Sequence, residues 1–61
     1  MEHSQVEKEA WTEIRDTTVV IKGEMTKVKL GQHDPAQALI LISVYMNRIV
    51  GALKMLKGEG L

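Results

Sequence analysis

Apolar residues return along this chain in alternating steps of three and four, and they do so in two separate series. Trp11, Ile14, Thr18, Ile21, Met25 and Val28 form the first, apolar except at Thr18, and Leu39, Ile42, Met46, Ile49, Leu53 and Leu56 form the second. That spacing keeps side chains on one stripe of an α-helix and makes the seam of a heptad repeat. Between the series lies KLGQHDPAQ, residues 29–37. Gly31 suits the left-handed residue that closes a helix, and Lys27 and Lys29 precede it where the helix dipole favours cations. Asp34 offers a capping carboxylate and Pro35 a first helical residue that needs no amide hydrogen. At the other end, Ser4-Gln5-Val6-Glu7 matches the Ser-x-x-Glu capping box. The pattern predicts an all-α fold, an antiparallel helical hairpin with helices at about residues 5–30 and 35–57. Facing positions of the two series, from Val28 with Leu39 out to Trp11 with Leu56, add to 67 throughout. The fold-back therefore falls between residues 33 and 34, inside the turn that the punctuation marks independently.

One stretch argues for strands. The β-branched run Thr17, Thr18, Val19, Val20 and Ile21, followed by Lys22-Gly23-Glu24, is also compatible with a two-stranded hairpin. Such a hairpin would strand the Trp11 and Ile14 end of the seam, and residues 21–25 lack the Asn-Gly or Asp-Gly signal of a tight turn. Helix is the stronger reading. Gly23, costing about 1 kcal/mol in a helix interior, is then the place where the first helix is expected to kink or fray.

Size limits what the hairpin can do alone. Sixty-one residues make a single domain, 1–61, and a chain this short buries only about 60% of its unfolded surface. Cysteine is absent, so disulfides and thiolate metal sites are excluded, leaving oligomerisation or docking on a partner as the usual support. Off its seam the second helix adds Ile40, Leu41, Val44, Tyr45, Val50 and Met55, and the first adds Val6, Ala10, Val19 and Val20. A helix apolar on most of its circumference needs cover on most of it. Two hairpins packed with their second helices central, as a homodimeric four-helix bundle, supply that cover, and Ala36, Ala38, Gly51 and Ala52 permit close approach. Leu39 to Leu56 is nearly long enough for a membrane span. It carries Ser43, Asn47 and Arg48 in its middle, and a central Arg costs roughly 2.5 kcal/mol or more in lipid. A buried helix of a soluble, cytoplasmic protein is expected, with no membrane partner, and the N-terminus shows no signal-peptide pattern.

Candidate chemistry is sparse. Eight acids balance eight Lys and Arg, which gives no general reason to expect an anionic partner. No phosphate loop, His-Glu-x-x-His, nucleophile elbow or cysteine nucleophile is present, so an enzyme is not expected, nor is a cofactor or metal. His3 and His33 read as solvated residues of a chain end and a turn. Glu2, Glu9 and Asp16, spaced by seven, read with Glu7 and Glu13 as an acidic outer face of the first helix. Lys8, Arg15, Lys22 and Lys29 also recur every seven residues beside the seam, and none has an acid three or four places away. This ladder is either a set of side chains lying over the rim of the core, with Arg15 stacked on Trp11, or a contact for nucleic-acid phosphates. Asn47 and Arg48 read as a solvent stripe or a polar pair at an interface, with Tyr45 at the boundary.

The expected function is that of a small, non-enzymatic regulatory or interaction protein, a homodimeric hairpin that binds another protein. Its interface with the partner or the second copy is expected at Val19, Val20, Leu30, Ile40, Leu41, Val44, Tyr45 and Met55. The alternative is a regulatory nucleic-acid-binding bundle working through Lys8, Arg15, Lys22 and Lys29.

Overall fold

The computed structural model describes residues 4–58. They form two helices, α1 from Gln5–Lys29 and α2 from Pro35–Gly58, which pack against each other as a hairpin. The radius of gyration is 14.1 Å and the molecule measures 45 × 16 × 12 Å. A compact chain of this length would have a radius of gyration of roughly 10.5 Å. This is a rod, and its cross-section is only two helices wide.

Local chemistry sets the ends as expected. The Glu7 amide donates to the Ser4 hydroxyl oxygen at 3.0 Å, satisfying one of the amides orphaned at a helix start. At the turn, Gly31 has φ 76°, Gln32 N–H donates to the Lys27 carbonyl at 2.8 Å, and Gly31 N–H donates to the Val28 carbonyl at 3.0 Å. That pair of bonds is the Schellman closure, and it needs a left-handed residue where Gly31 stands. Asp34 Oδ1 accepts from the Ala36 amide at 3.3 Å, opening α2.

The doubtful stretch is helical, and α1 runs through Gly23 without interruption. Part of the reason is visible in the threonines. The hydroxyls of Thr12, Thr18 and Thr26 donate to the carbonyls of Lys8, Ile14 and Lys22 at 2.7–3.0 Å. Each satisfies its polar atom inside the helix, so Thr18, the one of the three within the β-branched run, is accommodated there without an outside partner.

The seam differs from the expected one in a regular way. Buried or half-buried in α1 are Glu7, Ala10, Ile14, Thr17, Ile21, Glu24 and Val28, with Thr18 also half-buried, and in α2 Ala38, Ile42, Tyr45, Ile49, Ala52 and Leu56. Seven of the twelve expected seam positions are buried or half-buried: Ile14, Thr18, Ile21, Val28, Ile42, Ile49 and Leu56. At the other five the contact falls one residue earlier, so Trp11, Met25, Leu39, Met46 and Leu53 remain exposed. Two helices meet along one line and bury about two columns of side chains each. With Ala10, Ala38 and Ala52 on that line the backbones approach closely, and the Ile and Leu of the alternate rows fill the space beside them. Ala10, Ala52 and Leu56, with Ile14 against them, form the apolar cluster at the end away from the turn. Ala38 and Ala52 thus serve contact within one hairpin, whereas Ala36 and Gly51 are exposed.

Candidate functional site

Because the seam takes one column of the heptad and leaves its neighbour, each hairpin has two long edges of different chemistry. On the first edge stand Trp11, Thr18 and Met25 of α1 and Leu39, Met46 and Leu53 of α2, each one residue beyond a seam position. Near the turn it opens into a shallow groove of about 240 Å³ lined by Met25, Val28, Pro35, Ala38, Leu39 and Ile42. Lys8, Arg15, Lys22 and Lys29 border this edge along α1, two columns from the seam, and Ala36, Ser43, Val50 and Lys57 occupy the matching border of α2.

The second edge carries the residues one place before the seam: Glu13, Val20 and Lys27 on α1, and Leu41, Arg48 and Met55 on α2. Its groove, about 400 Å³, is floored by Ala10, Gly51 and Ala52 and walled by Glu9, Glu13, Arg48 and Met55. The Arg48 guanidinium lies over the Tyr45 ring, 5.6 Å from its centroid, a cation–π contact that holds the charge at the groove wall. This is the guanidinium–aromatic pair of the described residues. The expected stacking of Arg15 on Trp11 is replaced by a hydrogen bond from Arg15 Nε to Asp16 Oδ1 at 3.3 Å, because the adjacent acid is a nearer partner than the ring. Asn47 and Arg48 are both exposed.

The residues expected at an interface fall mostly on this second edge or on the outer backs of the helices. Val19, Val20, Leu30, Ile40, Leu41, Val44 and Met55 are exposed, and Tyr45 is half-buried in the seam. The apolar first edge was assigned to the hairpin's own core by spacing alone, since sequence periodicity cannot tell which two of three adjacent apolar columns a two-helix contact will use. In the basic ladder Lys8, Lys22 and Lys29 are exposed and form no ion pair among the described residues, while Arg15 pairs with Asp16.

Two polar expectations are corrected. His33 is half-buried, with Nδ1 2.8 Å from Glu24 Oε2. Glu24 is itself buried, and its other oxygen lies 3.8 Å from Lys27 Nζ. A carboxylate in the seam needs such partners, because an unpaired buried charge is strongly destabilising. The pair fastens the turn to α1. The signal was present in the sequence: Glu24 follows Ala10 and Thr17 at seven-residue spacing, in the column that meets α2. For the same reason Glu7 is buried at the seam, and the acidic outer face comprises Glu9, Glu13 and Asp16. Glu2 and His3 lie outside the described residues.

No group of three or more His, Asp or Glu among the described residues could share a metal ion. By length and composition α2 is long and apolar enough to cross a membrane, as core helices of soluble proteins also are, and only 11% of its most apolar stretch is buried within the hairpin. No known family, curated protein or solved structure matches the chain.

Proposed function

We propose that this is a non-enzymatic interaction protein: a hairpin that pairs with a second copy into a four-helix bundle and acts by binding another protein. One observation carries the reading. Fourteen large apolar residues are exposed on a two-helix rod, from Val6 to Met55, and exposed apolar surface of this extent marks an interaction site in soluble proteins. The two edges supply separate places for the two contacts. The Trp11 edge is uncharged and apolar except at Thr18, as suits a permanent self-contact, and the Arg48 edge mixes Val20, Leu41 and Met55 with charges, as a reversible contact does.

The test is crosslinked capture from the source cell, comparing wild type with Val20→Lys. The captured protein should be lost while the dimer persists in sedimentation. Retention of the same protein by the variant would remove the Arg48 edge from the reading.

A second reading rests on Lys8, Lys22 and Lys29, which are exposed cations without acidic partners among the described residues. A phosphate-bearing nucleic acid is the chemistry that these three fit, and about three contacts would make the slope of log affinity against log salt roughly −2.7 for duplex DNA. Absence of binding to duplex and single-stranded probes at low salt would dispose of it.

A further inference from the structure

Resting on the dimer just proposed, we infer that the second copy covers the Trp11 edge, with each α1 lying across from the other copy's α2 and both turns at the same end of the bundle. The amount of surface fits such a partner. A folded monomer of 6.8 kDa exposes about 4,000 Å² by the scaling of surface with mass, and this chain exposes 4815 Å². The excess, about 800 Å², is what one partner contributes to a standard stable interface.

Charge selects the edge. Trp11, Thr18, Met25, Leu39, Met46 and Leu53 carry none, whereas the opposite edge would bury Glu13, Lys27 and Arg48. Desolvating those ions costs several kcal/mol each unless each finds a partner. The period of the edge matches a second copy as well. Its residues recur every seven positions on both helices, as those of the seam do, all apolar but Thr18, and in a four-helix bundle every helix meets two neighbours and buries a third column.

Charge also selects the arrangement. Two copies meeting through the same face are related by a two-fold axis in the plane of contact, which runs either along the rods or across them. An axis across the rods sets α1 against α1 and brings Lys8, Arg15, Lys22 and Lys29 beside the same four cations of the other copy. An axis along the rods sets α1 against α2, so the ladder borders Ala36, Ser43 and Val50, with Lys57 the one like charge. Lysine stems can then lie over Val50 with their ammonium groups in water. The column interrupted by Thr18 also meets the unbroken column of Leu39, Met46 and Leu53.

The chain lacks cysteine, so a nitroxide on Gln32→Cys in the exposed turn is the single label needed. Sedimentation of the full chain at micromolar concentration should show a dimer, and dipolar spectroscopy should place the two labels within about 20 Å, twice the 8–10 Å helix spacing. A dimer whose labels stand near the 45 Å rod length would overturn the arrangement and leave the dimer intact. A monomer, in solution or captured on phosphatidylcholine vesicles, would overturn both. Leu53→Glu should raise the dimer dissociation constant by ~100-fold or more, with Val19→Glu on the outer back as the control that leaves it unchanged. Equal dimerisation of the two variants would remove the Trp11 edge from the contact.

Discussion

Ala10, Ala38 and Ala52 are 1–3% exposed, whereas Trp11, Leu39 and Leu53, the next residue along in each case, keep 49–68% of their surface in water. The columns have the same spacing and belong to the same helices. Apolar strength alone would have reversed them. In a two-helix contact, the residue on the line of closest approach limits how near the backbones come, and small side chains there let Ile14, Ile21, Ile42 and Leu56 bury more than they otherwise could. Larger apolar residues are then left at the edge, where burial depends on a second contact. The inner columns make the hairpin and the outer ones make it sociable.

The sharpest way to break this comparison is to shorten one leucine in each column. Leu56→Ala should lower unfolding free energy by about 2–4 kcal/mol in urea, measured at concentrations where chains are single. Leu53→Ala should lower it by under about 1 kcal/mol there, and by more as concentration rises and the edge becomes covered. Equal losses at low concentration would erase the distinction between the columns. Enlarging the inner column is the next largest change. Ala52→Leu should cost about 1–3 kcal/mol through overpacking, while Gly51→Ala, next to it with nothing within 4 Å of an added Cβ, should gain ~0.5–1 kcal/mol.

The glycines give a third pair. Gly31 and Gly23 both have open space around an added Cβ, so packing cannot separate them. Gly31→Ala should nevertheless lose about 1 kcal/mol, because its φ of 76° suits no L side chain. Gly23→Ala should gain ~0.5–1 kcal/mol, since Gly23 lies within α1 and no positive φ holds it there. Thermal melts of the two variants should move in opposite directions. Of similar size is the turn fastening, where His33→Ala should cost about 0.5–1.5 kcal/mol in urea unfolding as the hydrogen bond to Glu24 is lost.

Much of the fold was legible because its determinants are local. Ser4, Gly31, Asp34 and Pro35 act within a few residues of themselves, and the structure uses the first three as caps or turn closure where sequence reading puts them. The helices end within one residue of expectation. What sequence reading got wrong is rotational. In α2 three adjacent columns are apolar or small, and in α1 two are largely apolar beside one holding Ala10, Thr17 and Glu24; choosing two of the three depends on how near two backbones come, a property of the pair and not of either segment. The same ambiguity hid Glu24, whose place in the seam makes sense only with His33 folded back upon it. The edges were illegible for a related reason. Val20, Leu41 and Met55 were recognised as surplus, but the Trp11 edge looked already spoken for.

The turn has a kinetic consequence. Gly31, Asp34 and the Glu24–His33 pair all hold the chain at one end of the rod, so the row of Val28 and Ala38 joins residues close in sequence. Once it forms, each further row extends an existing closure, and entropy of closure grows by only about 0.6 kcal/mol per doubling of length. Assembly therefore runs like a zipper from the turn outward, with local contacts first and a rapid overall rate. Disassembly runs the other way, and backbone amides beside Ala10 and Leu56 should exchange with solvent before those beside Glu24 and Ala38.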